Sequence, residues 1–121
     1  MMNQKRRDPS LNALLDLDGQ VLVIDDAGYW VRFVVHQVPA SADKLHGLDY
    51  SLTLHGPNGS RLVGFDNAHR VVGTRSRTLA VKDHRHRLHT VGAYGYTDAG
   101  ALLADFWSEV ESVMREKRVW T

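Results

Sequence analysis

Leu48-Asp49-Tyr50-Ser51-Leu52-Thr53-Leu54-His55 alternates apolar and polar side chains without a break. A period of two puts Leu48, Tyr50, Leu52 and Leu54 on one side of an extended chain and Asp49, Ser51, Thr53 and His55 on the other. That is the pattern of a strand with one buried and one solvated face. Strands of this kind belong to antiparallel sheets, whose members lie a hairpin apart in sequence. Gly56-Pro57-Asn58-Gly59 supplies the turn into a partner over Arg61 to Asp66. On the other side, Pro39 to Gly47 reads as a loop. Before it, Tyr29 to Val38 is rich in aromatic and β-branched residues, with Tyr29, Val31, Phe33 and Val35 on the better core face and Trp30, Arg32, Val34 and His36 opposite. Asp25-Asp26-Ala27-Gly28 turns this strand back to Val21 to Ile24, which Asp18-Gly19 precedes. At least four antiparallel strands are thus expected by residue 66, then a loop and a further strand near residues 86 to 96.

Beyond the sheet, Ala99, Leu102, Leu103, Phe106, Val110, Val113 and Met114 recur at helical spacing after Thr97 and Asp98, either of which is a suitable N-cap. A helix from about 98 to 116 follows, with Arg115, Lys117 and Arg118 near the negative pole of its dipole. The expected fold is α+β, an antiparallel sheet of four to six strands with the C-terminal amphipathic helix packed on one face. A chain of 121 residues fits one domain. Residues 19–118 are assigned to it, and residues 1–18 to an N-terminal arm that is partly disordered or forms one short helical turn at Leu11, Leu14 and Leu15. Nothing approaches the ~20 apolar residues that span a bilayer, and Lys5, Arg6 and Arg7 are followed by no apolar signal core. The expectation is a cytoplasmic protein with no membrane partner.

The chain has no cysteine and seven histidines. Thiolate nucleophiles, disulfides and Cys-ligated zinc are excluded, and chemistry is left to His, carboxylates, hydroxyls, Arg and Lys. Net charge is only +1, but between residues 70 and 87 Arg70, Arg75, Arg77, Lys82, Arg85 and Arg87 face Asp83 alone, so this window carries +5 and the rest of the chain −4. Its end, Lys82-Asp83-His84-Arg85-His86-Arg87-Leu88-His89, is the densest cluster. Extended, it projects His84, His86 and Leu88 from one face and Asp83, Arg85, Arg87 and His89 from the other.

Three readings fit these residues. A charged His-Arg run is often a solvated strand edge or loop, and Asp66-Asn67 is then a turn that ends a strand. Alternatively, His84 and His86 bind a metal with Asp66 or His69, although the neighbouring arginines disfavour a cation. In the third, a phosphodiester is cleaved by two imidazoles. A neutral one accepts the ribose 2′-hydroxyl proton, a protonated one donates to the leaving oxygen, and arginine stabilises the phosphorane. Histidine supplies both states near neutrality, and no metal or cofactor is needed. The working expectation is the third: His84 and His86 as the pair, Asp66 or His69 in support, and Arg70, Arg75, Arg77, Arg85, Arg87 and Asn67 on the RNA phosphates.

Taken in order, Tyr50-Ser51-Leu52, Gly64-Phe65-Asp66-Asn67, Asp83-His84-Arg85-His86 and Leu102-Leu103-Ala104-Asp105-Phe106-Trp107 resemble the TumE-type toxins of prokaryotic toxin-antitoxin loci, over roughly residues 20 to 116. The resemblance implies a growth-inhibitory protein with a cognate antitoxin, often of helix-turn-helix type. It does not imply the target; RNA cleavage comes from the acid-base reading and from analogy with other small antiparallel α+β toxins. Two features depart from the family pattern. Phe65 stands where that pattern usually has Tyr, and the stretch between Asn67 and Asp83 is long and Arg-rich. The rival from another class is a non-catalytic module whose basic strip docks nucleic acid or an acidic antitoxin segment while the helix completes a homodimer.

Overall fold

In a computed structural model, which describes residues 8–42, 44, 46–67 and 83–121, the alternating strands form one antiparallel meander. Its strands are β1 (Val21–Asp25), β2 (Tyr29–Gln37), β3 (Leu48–His55), β4 (Arg61–Asp66), β5 (His84–Arg87) and β6 (Thr90–Ala93), hydrogen-bonded in chain order. The sheet therefore has β1 and β6 at its edges. Among the described residues two helices, α1 (Leu11–Asp16) and α2 (Ala99–Glu116), join the sheet. The fold is α+β, as the patterning predicts.

The core lies between one face of the sheet and the helices. Val31, Phe33 and Val35 of β2, Leu48, Tyr50, Leu52 and Leu54 of β3, and Val63 and Phe65 of β4 meet Leu102, Phe106, Val110, Val113 and Met114 of α2. Phe106 packs edge-on against Phe33 and Phe65, at centroid distances of 5.7 and 6.1 Å. Each wholly buried phenyl contributes ~1.5–3 kcal/mol of hydrophobic burial, so β3 and β4 are fixed against α2 by apolar packing. Asp98 caps α2, accepting the Ala101 N–H, and Asp8 accepts the Ala99 N–H, which ties the N-terminal arm to the same helix end. Leu14 of α1 is wholly buried. At the other end of α2, the Trp120 indole N–H donates to Asp25 in the β1–β2 turn.

Both expected hairpin turns form where glycine permits a left-handed backbone, at Gly28 (φ 101°) and Gly59 (φ 87°). The region expected to hold one strand near residues 86 to 96 instead holds two. β5 and β6 pair Arg87 with Thr90 across a tight turn at Leu88-His89. Leu88 adopts φ 54°, unusual for a branched side chain, while its N–H donates to the Leu62 carbonyl at 2.8 Å. With neither glycine nor asparagine in it, this turn carries no sequence signal.

Candidate functional site

Register decides what each face of β4 and β5 carries. Asp66 pairs with His84 and Gly64 with His86, all on the face away from α2; Phe65 pairs with Arg85 and Val63 with Arg87 on the covered face. The two histidines are therefore neighbours on the open face, as the i, i+2 spacing predicts, with ring centroids 6.4 Å apart. Asp66 lies between them. Its Oδ2 is 3.1 Å from His86 Nε2 and its Oδ1 is 3.9 Å from His84 Nδ1. The first distance is a hydrogen bond; the second is the reach of an ion pair, too long for a hydrogen bond.

The other nitrogen of His86 meets a residue outside the charged window. Arg61 Nη2 lies 3.2 Å from His86 Nδ1. A guanidinium only donates, so Nδ1 accepts and the ring proton sits on Nε2, directed at Asp66. Burial and the adjacent Arg61 charge hold the His86 pKa below its ordinary value, outweighing the opposite pull of Asp66. His86 is thus a neutral imidazole of defined tautomer, oriented by a carboxylate on one side and a cation on the other.

Two local devices bring Arg61 there. Simple alternation from Val63 and Phe65 would send Arg61 to the covered face. A bulge intervenes: Leu54 pairs with Val63, but His55 pairs with Arg61, leaving Leu62 as the extra residue. Leu62 is buried and Arg61 emerges on the open side. The second device is Gly64, across from His86. A Cβ at that position would stand 3.2 Å from Arg61 Cδ and 3.5 Å from Nε, so the missing side chain is the space in which the arginine lies.

The remaining expected site residues are distributed differently. Arg85 and Arg87 meet α2: Arg87 Nε donates to Glu109 at 2.9 Å and its Nη2 to Glu116 at 2.7 Å and to Ser112 at 3.0 Å, while Arg85 lies 3.8 Å from Glu109. The structure does not bring them to the histidines. Asn67 is buried, and both ends of its amide are used by β3: Oδ1 accepts the Tyr50 N–H at 3.0 Å and Nδ2 donates to the Leu48 carbonyl at 2.7 Å. Its side chain prolongs the β3–β4 ladder by one rung. Asp83 accepts the Tyr50 hydroxyl at 2.6 Å, and burial together with this carboxylate pushes the phenol far above its ordinary range. His69, Arg70, Arg75 and Arg77 lie outside the described residues.

Arg61 and Gly64 are the members that sequence reasoning missed. The available signal was the Gly-bounded turn before β4, but a turn does not announce a bulge. Among the described residues, no group of three or more His, Asp or Glu side chains is disposed to hold a metal ion. Nor is any described helix long and apolar enough to cross a membrane.

No curated protein and no solved structure matches the chain at significance. A family model does: the one described as toxin TumE matches residues 12–114, from α1 through the buried part of α2 and including β4 and β5 with their open-face cluster. That span covers most of the chain and implies an antitoxin partner; the chain belongs to the TumE toxin family.

Proposed function

We propose that the protein is the toxin of a toxin-antitoxin pair that acts in the cytoplasm by cleaving RNA without a metal, and that the open face of β4 and β5 is its active site. The observation that carries this reading is the chain Asp66–His86–Arg61 with His84 beside it. A neutral imidazole whose Nε2–H is bound by a carboxylate has its basic lone pair on Nδ1, and the carboxylate stabilises the imidazolium that forms. Arg61 occupies that lone pair in the free protein. A phosphodiester draws the guanidinium to its own oxygens, which frees Nδ1 and places a cation on the reacting phosphate in one movement.

The steps then balance as follows. His86 Nδ1 takes the 2′-hydroxyl proton, the 2′ oxygen attacks the adjacent phosphorus, the bond from phosphorus to the 5′ oxygen breaks, and protonated His84 gives its proton to that leaving oxygen. The products are a 2′,3′-cyclic phosphate and a 5′-hydroxyl end. Arg61 carries the charge of the phosphorane. His69 in support of the pair, and Arg70, Arg75 and Arg77 on flanking phosphates, complete the reading. A helix-turn-helix antitoxin is the expected neutralising partner, and since all the groups named come from one chain the chemistry requires no homodimer.

Single replacement of His84 or His86 by Ala tests this. Each is expected to reduce cleavage of an RNA substrate by about 10²–10⁴-fold and to abolish growth inhibition, with the thermal melt nearly unchanged and wild-type cleavage undiminished in EDTA. Toxicity that survives both replacements overturns the catalytic claim. Cleavage lost in EDTA transfers it to a metal, and RNA or antitoxin binding without cleavage leaves a binding module.

A further inference from the structure

The open face of the sheet carries a second feature that the reaction does not use. Trp30 of β2 and His55 of β3 are paired in the ladder, and their rings are stacked with centroids 4.1 Å apart and planes within 9° of parallel. His55 is held from two sides: its Nδ1 is 3.0 Å from the Gly59 carbonyl and its Nε2 3.0 Å from the Thr53 hydroxyl. A carbonyl only accepts, so Nδ1–H donates to it, and the ring is fixed before any ligand arrives. Both rings are half-buried rather than enclosed.

Register places this stack in line with the cluster described above. Val23 pairs with Trp30, Trp30 with His55 and His55 with Arg61; the Arg61 guanidinium reaches His86, which pairs with Val91. A row of side chains thus crosses the sheet on its open face, aromatic in β2 and β3, cationic in β4 and imidazole in β5. The strand positions that border the stack on this face are Val23, Arg32, Thr53 and Arg61. They comprise two cations, one hydroxyl and one apolar side chain, and no carboxylate. Val23 lies beyond Trp30 and Arg61 beyond His55 in this row, so a base reaches the outer ring faces over a short apolar side chain on one side and a movable guanidinium on the other.

We propose that Trp30 and His55 form a stacking platform for unpaired nucleobases of an RNA strand, with Arg32 and Arg61 holding its phosphates on either side. Rigid aromatic rings flanked by cations are the pairing by which proteins hold single strands, since every base has a π-face and every linkage a negative charge. An acidic peptide would use the cations and leave the rings idle. The proposal rests on the RNA reading above and adds what it lacks: the strand enters over β2 and β3, and the linkage to be cut lies towards β5, so the target is single-stranded at this site.

The test uses the full chain and a 2′-O-methyl oligoadenylate of about ten nucleotides, which cannot be cut, beside an abasic strand of equal length and charge. Wild type is expected to bind the base-bearing strand about tenfold more tightly than the abasic one. Trp30→Leu, which keeps apolar bulk without a ring face, is expected to remove that difference and leave the salt dependence unchanged; Trp30→Phe retains most of it. Equal affinity of wild type for the two strands overturns the platform without any variant. Trp30→Leu binding that stays base-dependent overturns it too, as does failure to bind either strand, the result if a protein segment occupies the row instead. Failure of the catalytic reading is distinct: base-dependent binding by wild type together with no cleavage of unmodified RNA.

Discussion

β5 has two sides made of similar residues with opposite fates. On the covered side Arg87 hydrogen-bonds Glu109, Ser112 and Glu116 of α2, and Arg85 lies within ion-pair reach of Glu109. On the open side His84 and His86 stand with Asp66 and Arg61, partly exposed. β4 and its end divide the same way, since Asp66 orients an imidazole while the adjacent Asn67 fills a rung of the sheet. The lesson comes from two cations of the basic window between residues 70 and 87, Arg85 and Arg87, which face carboxylates of α2 rather than the histidines. Charge counts toward ligand binding only after partners across the sheet and on the helix have been subtracted, and for Arg87 that subtraction is nearly complete.

If the two sides differ as described, substitutions on the covered side lower stability and spare activity. The largest effect is expected for Asn67→Ala. It leaves the Tyr50 N–H and the Leu48 carbonyl without their partner in a buried position, which costs on the order of 2–4 kcal/mol, read from denaturant unfolding. Activity at a temperature where the variant is folded stays within about twofold, because the Asn67 side chain faces away from the histidines even though Asp66 beside it does not. A stable Asn67→Ala protein with cleavage abolished breaks the comparison and places Asn67 on the substrate. Arg87→Ala comes next. Its network is ionic and partly exposed, so about 1 kcal/mol is expected, diminishing in high salt, with RNA affinity unchanged. A reduced salt slope of RNA binding in Arg87→Ala would show that this arginine serves the ligand after all.

The division was only half legible in sequence. Alternation gives β2 and β3 their inner faces, helical spacing gives α2, and i, i+2 spacing sets His84 and His86 side by side. These are local periodicities and need no knowledge of neighbours. The same alternation sends Arg85 and Arg87 to the opposite side, but that Glu109 and Glu116 wait there depends on how α2 crosses the sheet. Asp66 joins the histidines through β4–β5 register, which a long intervening segment leaves unmarked in sequence. Arg61 was hidden more deeply. A single extra residue, Leu62, reverses the face of everything before it in the strand, so strict alternation assigns Arg61 to the wrong side. The Leu88-His89 turn escaped for a related reason: the backbone adopts a left-handed conformation at a leucine, and tertiary contacts override local preference.

The smallest effect expected, and the sharpest on the open side, is a change in the titration of His86. Arg61 lowers its pKa, so Arg61→Gln raises it toward the ordinary value; Asp66 raises it, so Asp66→Asn lowers it further. A base works only while unprotonated. The acidic limb of the pH–rate profile therefore moves to higher pH in Arg61→Gln and to lower pH in Asp66→Asn, and an NMR titration of the His86 ring follows the same directions. Gly64→Ala is a finer version of the first change. Its Cβ crowds Arg61 Cδ at 3.2 Å and displaces the guanidinium without removing its charge from the molecule, so it predicts a smaller upward shift. An upward shift in Arg61→Gln with none in Gly64→Ala means the arginine acts on His86 at long range. No shift in either means that the 3.2 Å contact has no electrostatic consequence, and the base must then be sought in His84.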